Sequence, residues 1–331
     1  MSEGEFQIID RFFTHSPFGQ WTSQGVGDDC ALIDTGTERI AVTTDMMAVG
    51  THFLPDCPAG VVGYKALAVN LSDLAAAGAT PRAFFLSIGL PERNDSWLKE
   101  FSRRMMTLAR ACGCALLGGD TTRTPLVNGT HAPITISITA IGALPPEKGL
   151  TRSGARPGDD VWVSGTLGDA YAGLKLAWGH WQAEEDEKQF FTRRLEHPEP
   201  RIVLGEALLE VASAAADVSD GLLADLRHIL ERSNVACDLL WDAIPRSPAL
   251  MSLTQAQQRE AALTGGDDYE LVFTAPATQR DKILQLSRIL SLRLTRIGKI
   301  RTSDSGDNLV LRSNAGMVIP TPSQGFNHFS E

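Results

Sequence analysis

Residues 62–77 read VGYKALAVNLSDLAAA, and this stretch determines how the flanking sequence is interpreted. Its larger apolar residues and small alanines recur at helical spacing, at Ala66, Leu67, Leu71 and Leu74. This spacing predicts a helix over Val62–Ala77. Gly78 is a good helix stop, and Pro81 follows just beyond it.

Asp73 lies inside this predicted helix, although aspartate is a poor residue for a helix interior. In one interpretation it lies on a solvated helix face and pairs with Lys65. In the other it is a functional carboxylate, and the polar neighbours Asn70 and Ser72 favour this second interpretation.

Strand-like and helical runs alternate on both sides of this helix. Strands are predicted at Cys30–Ile33, Ile40–Thr44, Ala83–Leu90, Cys114–Gly118, Ile134–Ile141, Asp160–Ser164 and Leu271–Thr274. Further helices are predicted at Glu5–Phe13, Ser96–Ala111, Arg201–Ala214 and Gly221–Ser233, with another opening at Asp169. Such alternation predicts an α/β protein. The Pro- and Gly-containing segment 144–149 is typical of a linker, which predicts two domains over residues 1–145 and 146–331.

Aspartates recur in short segments rich in Gly, Ser and Thr. The segments are Gly27-Asp28-Asp29, Thr43-Thr44-Asp45, Asn70-Leu71-Ser72-Asp73, Gly118-Gly119-Asp120, Asp217-Val218-Ser219-Asp220-Gly221 and Gly265-Gly266-Asp267-Asp268. Each alone is more often a turn or a helix cap. If they converge, the carboxylates repel one another unless cations lie between them. Oxygen ligands without Cys or His suit Mg²⁺, which usually accompanies a phosphate-bearing substrate.

Composition restricts the function classes. The chain has 331 residues, a formal charge of −10 and 43% hydrophobic residues. The negative charge argues against a nucleic-acid partner, and no apolar run reaches the roughly 18–20 residues that a membrane helix needs. The acidic N-terminus does not resemble a signal peptide, and the five unpatterned cysteines fit a reducing cytoplasm.

Several signatures of other enzymes are missing from the sequence. It contains no Gly-x-x-x-x-Gly-Lys-Ser/Thr loop, no dinucleotide Gly-x-Gly-x-x-Gly fingerprint and no protein-kinase His-Arg-Asp loop. A nucleotide enzyme with this sequence therefore needs another way to hold phosphate.

Together the segments resemble the thiamine-monophosphate kinase family of the PurM-like (AIR synthetase) ATP-binding superfamily. The resemblance runs from Gly4 to Phe329. It is most specific at Val26–Ala31, Thr43–Asp45, His52–Leu54, Lys65–Ala75, Leu117–Thr122, Thr151–Ala155, Val163–Asp169, Val218–Leu222 and Gly265–Leu271. It implies a two-domain PurM-like fold, with the N-terminal domains paired across a homodimer and nucleotide bound near that interface.

The resemblance also implies an activity and a set of site residues. The activity is transfer of the γ-phosphoryl group of ATP to thiamine monophosphate, which yields thiamine diphosphate. The implied ligands of several Mg²⁺ ions are Asp29, Thr43, Thr44, Asp45, Asp73, Asp120, Asp217 and Asp220. The implied ATP contacts are Gly119, Asp120, Arg152 and Ser219, and the implied substrate contacts are His52, Asp267 and Phe326. A requirement for K⁺ is left open.

Two positions depart from the family pattern. The family more often has Glu at the position of Asp267, and often Tyr or Trp at that of Phe326. Phe keeps a stacking face but lacks a polar group. Neither departure argues against the phosphoryl transfer itself. The acceptor phosphate has a second pKa of about 6, so it is anionic at neutral pH and needs no general base. We therefore expect direct transfer without a phosphoenzyme intermediate.

Three alternatives remain from the sequence alone. The first is another PurM-like ATP-dependent enzyme, such as aminoimidazole ribotide synthetase, selenophosphate synthetase or a hydrogenase-maturation protein. The second is a non-catalytic nucleotide-binding dimer, which would be marked by loss of metal-binding aspartates. The third is a magnesium-dependent phosphatase, which would hydrolyse ATP without an acceptor.

Overall fold

Two β-sheets and nine helices make up the part of the protein that its computed structural model describes, which is residues 9, 11, 22–127, 130–303 and 307–321. The predicted helix Glu5–Phe13 lies outside these residues except for Ile9 and Arg11, which are helical. Among the described residues, no helix is both long and apolar enough to cross a membrane.

The first sheet has six strands in the order β1-β2-β3-β8-β4-β5. Their bounds are β1 Thr22–Gln24, β2 Ala31–Asp34, β3 Arg39–Ala48, β4 Thr80–Leu90, β5 Ala115–Arg123 and β8 Thr135–Leu144. All neighbours are antiparallel except β4 and β5. A separate hairpin pairs β6 Leu126–Val127 with β7 Thr130–His131. Helices α1 Ala59–Ala76 and α2 Asp95–Ala111 pack together, and both contribute to the hydrophobic core that includes residues of β3, β4 and β8.

The second sheet has seven strands in the order β10-β12-β9-β13-β11-β14-β15. Their bounds are β9 Asp160–Ser164, β10 Ala214–Asp217, β11 Val235–Leu240, β12 Leu271–Ala275, β13 Leu294–Thr302, β14 Leu309–Arg312 and β15 Val318–Ile319. The helices are α3 Asp169–Ala177, α4 Glu185–Glu196, α5 Ile202–Leu208, α6 Leu222–Ser233, α7 Pro248–Ser252, α8 Gln255–Thr264 and α9 Arg280–Ile289, with short 3₁₀ turns at Trp241–Ala243 and Ala277–Gln279. The predicted α/β architecture is confirmed, with one large sheet in each half of the chain, although most strand pairs are antiparallel.

Two predicted elements have different bounds in the structure. Strand β3 continues past Thr44 to Ala48, because its ladder with β8 runs unbroken from Arg39 to Ala48. Asp45 therefore lies within the strand and not at its end. The predicted helix Arg201–Ala214 was wrong in its second half: α5 ends at Leu208, and Ala214 begins β10, where it pairs with Thr274.

Helix α1 joins the two halves of the molecule. Along most of its length it contributes to the core of the first sheet, whereas Ala75 and Ala76 near its end pack in a core with Leu204 and Leu208 of α5. The contact is close, since a Cβ on Gly205 would lie 2.0 Å from the Ala75 carbonyl oxygen. The glycine is needed here because helix α5 crosses the backbone of α1.

The predicted domain boundary at residue 145 remains a proposal. It falls directly after β8, the last strand of the first sheet in chain order, and before β9, the first strand of the second sheet. The segment between them contains a turn at Pro145–Lys148 and a hydrogen bond from the Leu150 N–H to the Ala77 carbonyl at 2.9 Å.

Gly205→Ala should destabilise the protein by about 1–3 kcal/mol, because the added methyl group must displace the α1 backbone. Alanine is otherwise the better helix residue by about 1 kcal/mol, so the sign of the change is informative. Thermal and denaturant unfolding measure it. The matched control is Gly60→Ala, where the new methyl group meets the flexible Arg104 side chain at 2.8 Å. Equal stability of the two variants would contradict the close-contact explanation.

Candidate active site

Three aspartates from distant parts of the sequence converge between the two sheets. Carboxylate oxygens of Asp29, Asp73 and Asp217 all lie within 4.8 Å of one another. Asp29 precedes β2, Asp73 lies on α1 and Asp217 ends β10. The functional interpretation of Asp73 therefore agrees with its position, because the helix brings it to the junction of the two halves.

Neighbouring side chains hold each of these carboxylates. The Thr43 hydroxyl donates a hydrogen bond to Asp73 Oδ2 at 2.5 Å, and the Ser72 hydroxyl donates to Asp217 Oδ2 at 2.6 Å. The Arg152 guanidinium donates to Asp29 Oδ1 at 2.6 Å. These bonds fix carboxylate orientation.

The electrostatics of the cluster are unfavourable without a cation. Burial raises the pKa of Asp73 well above its ordinary value, and the charges of Asp45, Asp217 and Asp29 raise it further. Burial and Asp29 likewise raise the pKa of Asp217, to about 8. A buried group of anions reaches such values because each ionised carboxylate makes the next ionisation costlier. Divalent cations bound between the oxygens would remove this cost.

The donor set of the cluster fits Mg²⁺. It consists of carboxylate oxygens, with hydroxyls bonded directly behind them, and this class of hard ligand suits Mg²⁺. Asp29, Asp73 and Asp217 are the residues that would hold the ion. The positive charge of Arg152 neutralises part of the negative charge of the cluster, on the side of Asp29 only.

Strand β3 presents its predicted ligands to opposite faces. Thr43 is buried and bonds to Asp73, whereas Thr44 is exposed and its hydroxyl bonds to that of Thr139 at 2.9 Å. Alternation along the strand places Asp45 on the face of Thr43. The Asn70 side chain accepts a hydrogen bond from the Asp45 N–H at 3.1 Å. The hydroxyl of Thr44 is thus not brought to the cluster.

Ser219 and Asp220 lie in a turn that leads into α6 and line the cavity beside the cluster. The N-cap of α6 is Gly221, and no side chain caps this helix. The alternative that Ser219 or Asp220 acts only as a helix cap is therefore wrong. Buried Asp225 holds the turn by accepting from the backbone N–H groups of Asp220 and Gly221 at 3.1 Å each.

Asp267 lies in a backbone conformation unusual for its residue type. Asp267 has a φ of 68° and Tyr269 a φ of 50°. Hydrogen bonds from their N–H groups to the carbonyls of Ser219 and Val218, at 2.8 and 2.9 Å, hold this strained segment. Lys65 forms an ion pair with Asp267 at 2.8 Å. The suggested pairing of Lys65 with Asp73 was therefore wrong, because Asp267 takes the lysine.

Two adjoining cavities open beside the carboxylates. The larger, of about 390 Å³, is lined by Asp45, Asp73, Asp217, Ser219 and Asp220. The smaller, of about 230 Å³, is mainly apolar. His52, Lys65 and Asp267 line both. His52 Nδ1 accepts a hydrogen bond from the Ala48 N–H at 3.1 Å, so in the neutral ring its proton is on Nε2. The cavity lined by aspartates thus adjoins a mainly apolar pocket.

The predicted nucleotide contacts Gly119 and Asp120 lie apart from the cluster. Asp45 is in register with Ile138, Ile138 with Leu86 and Leu86 with Gly119, so three strand spacings separate them, about 14 Å. A Cβ on Gly119 would overlap the Leu86 carbonyl, which explains glycine there. The roles of Gly119 and Asp120 remain predictions. Phe326 lies outside the described residues.

Several residues that shape the site were not assigned roles from the sequence. Asn70 and Ser72 were noted only as polar neighbours of Asp73, and Lys65 only as a possible partner for it. Asp225 gave a usable signal, a carboxylate five residues after Asp220 within an apolar helix. The Arg152 N–H donates a hydrogen bond to Asp28 Oδ1 at 2.8 Å, and no sequence pattern predicts this bond, because 124 residues separate the partners.

Comparisons with known proteins agree with this geometry. Family models for the AIR synthase related protein match twice: the N-terminal domain over residues 27–144 and the C-terminal domain over 156–308. The thiamine-monophosphate kinase of Salmonella typhimurium is 39% identical over 100% of this chain and 99% of its own length.

Two solved structures are similar along nearly the whole chain. One is a thiamine-monophosphate kinase from Stenotrophomonas maltophilia, 43% identical, with a TM-score of 0.76 over 93% of this chain and 96% of its own. The other is AaThiL complexed with AMPPCP and TMP, 30% identical, with a TM-score of 0.82 over 98% of this chain and 97% of its own.

When a chelator keeps the solution free of divalent metal ions, the protein should lose stability as the pH rises from about 5 to 8. Asp217 has a pKa of about 8 in the folded protein against an ordinary value of 3.8, so the folded state binds more protons between these values. For each extra proton that the folded state binds, the free energy of unfolding falls by up to about 1.4 kcal/mol for every unit by which the pH rises. Melting temperatures across this range measure the slope.

Asp217→Asn should flatten that slope and reduce the rise in melting temperature that Mg²⁺ produces at pH 8. The control variant is Asp95→Asn, whose side chain is 70% exposed on α2 and which should behave as the wild type. An unchanged slope in Asp217→Asn would show that the cluster does not control stability.

Proposed function

This chain belongs to the AIR synthase related family and, within it, to the thiamine-monophosphate kinases, and we propose that it transfers the γ-phosphoryl group of ATP to thiamine monophosphate at the acidic site between its two sheets. It is a phosphotransferase with a phosphate group as acceptor, and it carries out the last step in making thiamine diphosphate.

The observation that carries this proposal is the convergence of Asp29, Asp73 and Asp217 beside a cavity with an apolar extension. A structural relative has been solved with AMPPCP and TMP, a nucleotide and a phosphate ester. Both ligands carry phosphate, and a carboxylate cluster attracts phosphate only through bound cations. The site therefore supports a reaction between two polyanions.

The main obstacle to this reaction is charge, and the residues of the site address it. Bound Mg²⁺ supplies neutralisation of the phosphates and alignment of donor and acceptor. Asp29, Asp73 and Asp217 would hold these cations, and hydrogen bonds from Arg152, Thr43 and Ser72 fix the orientation of their carboxylates. The acceptor phosphate is anionic at neutral pH, so we infer direct in-line transfer without a general base or a phosphoenzyme.

The remaining predicted ligands extend this site. We propose Asp45, Asp220 and the hydroxyl of Thr43 as further metal ligands, and Thr44 through its backbone, because its side chain faces away. Arg152 and Ser219 are proposed to contact ATP, and His52 and Asp267 the substrate. Any requirement for K⁺ is a separate proposal to be tested by ion substitution.

We propose that the protein works as a homodimer in the cytoplasm. Strand β5 is exposed along its whole length at the edge of the first sheet, although it carries Leu116 and Leu117. Exposed apolar edge strands invite pairing with another chain. Gly119 and Asp120 lie on this strand, so a second copy seated there would lie against the predicted nucleotide contacts. The five cysteines are free thiols, typical of a reducing compartment.

The first test of function is product formation from Mg-ATP with and without thiamine monophosphate, with products identified by mass. Wild-type protein should form ADP and thiamine diphosphate only when both substrates are present. Asp73→Asn should lower kcat by at least about 100-fold, because a metal ligand is lost. Asp95→Asn serves as the exposed control. ATP hydrolysis without an acceptor would instead indicate a phosphatase, and nucleotide binding without transfer a non-catalytic binder.

Leu117→Glu should convert the dimer to a monomer, because it places a charge in the centre of the proposed apolar interface. Light scattering after gel filtration measures the mass. Met317→Glu is the matched control, since Met317 is 67% exposed in the second half of the chain against 64% for Leu117. A wild-type protein that is already monomeric at micromolar concentration would refute the dimer.

A further inference from the structure

The smaller cavity lies between the two halves of the molecule and has an unusual mixture of walls. One wall comes from the start of α1, with Pro58 and Val61, and the other from α3 and α4, with Leu174, Trp178 and Glu196. It shares Lys65 and Asp267 with the acidic cavity. A substrate whose phosphate lies at the carboxylates therefore has its other end in this pocket.

Two acidic residues that line this pocket, Asp56 and Glu196, lack a counterion among the described residues, and of the two only Glu196 is half-buried, since Asp56 is exposed. Lys65, the cation that lines the pocket, already pairs with Asp267 at 2.8 Å. Glu196 is half-buried and makes no hydrogen bond or ion pair with any residue that the structure describes. Burial raises its pKa, which Lys65 only partly opposes. A carboxylate in such surroundings is stabilised by a cationic ligand.

Trp178 supplies a second feature that suits a cation. Trp178 is 45% exposed although it lines both cavities, and the Nζ of Lys175 lies 5.9 Å from its ring centroid, so this ring already attracts one cation. An accessible tryptophan face attracts organic cations through its π electrons, by about 0.5–2 kcal/mol. A partly exposed indole and a carboxylate without a counterion that line the same cavity are a combination that recognises a flat, positively charged ring.

The position of Glu196 is held firmly from both sides. Arg194, two residues earlier on α4, donates a hydrogen bond to the buried Glu270 of the second half at 3.2 Å. His197, the residue after Glu196, bonds to Arg104 of α2 at 2.7 Å, and the Tyr64 hydroxyl donates to the Pro198 carbonyl at 3.0 Å. The end of α4 that carries Glu196 is thus positioned before any ligand binds, which reduces the entropic cost of recognition.

We propose that Glu196 and Trp178 are specificity-determining residues that select the positively charged thiazolium half of thiamine monophosphate in this pocket. This inference rests on the proposed function. Glu196 lies opposite the ring charge, Trp178 provides the stacking surface, and the phosphate end reaches the acidic cluster. Neither residue takes part in phosphoryl transfer, so both act on substrate binding and leave ATP binding unchanged.

The test compares thiamine monophosphate with its neutral isostere, in which a carbon atom replaces the charged ring nitrogen. Wild-type enzyme should prefer the cation by about tenfold or more in kcat/KM, the size expected for one desolvated charge contact. Glu196→Gln should remove most of this preference by raising KM for the cation alone, with KM for ATP and kcat nearly unchanged. Trp178→Leu should raise KM for the cation more than for the isostere.

Asp186→Asn is the matched control, because Asp186 is exposed on the same helix and does not line this pocket. A Glu196→Gln enzyme that keeps the wild-type preference would overturn the inference, and so would a wild-type enzyme without a preference. If Glu196→Gln does not fold, Glu196→Asp should show an intermediate preference, and an unreduced one would refute the role. Failure of the wild type to phosphorylate thiamine monophosphate would instead refute the proposed function, and this inference with it.

Discussion

Repulsion among buried carboxylates is the constraint on which the rest of this structure depends. Asp29, Asp73 and Asp217 come from three separate elements and meet within 4.8 Å, where burial and mutual charge raise the pKa of Asp73 and Asp217. Such an arrangement costs stability in the empty protein. Under the proposed function, the same oxygens would give hard cations, and through them phosphates, a fixed place to bind.

Helix α1 makes this arrangement possible. Its apolar side belongs to the core of the first sheet, its last turn packs against α5 through the close contact at Gly205, and its polar residues face the junction. Ser72 and Asp73, adjacent in sequence, thereby reach different partners: Ser72 bonds to Asp217 from the second half, and Asp73 to Thr43 from the first. The junction of the two halves and the acidic site are thus built by the same helix.

The site is divided by charge. One cavity is lined by aspartates, and the other is mainly apolar with Glu196 and Trp178 at its wall. Lys65 and Asp267 form an ion pair at the boundary and line both. The division matches the proposed substrate, which has a phosphate at one end and a cationic ring at the other.

The sequence by itself predicted the fold class of the protein and most of the acidic residues that lie in the candidate site. Helical spacing over 62–77 predicted α1 within three residues at its start and one at its end, and the Asp-rich segments predicted a Mg²⁺ and phosphate site. The prediction of α1 succeeded because local periodicity is a property of a short segment, and the Mg²⁺ site remains a prediction from residue chemistry. The family resemblance added the reaction and the individual roles.

Only the tertiary structure decided which of these residues meet. Strand alternation turned the Thr44 side chain away from Asp45, and the strand order placed Gly119 about 14 Å from Asp45. Lys65 forms an ion pair with Asp267, about two hundred residues away in sequence, and not with Asp73, which lies on the same helix. Such outcomes depend on long-range packing of the two sheets around α1, and no spacing within a single segment contains that information.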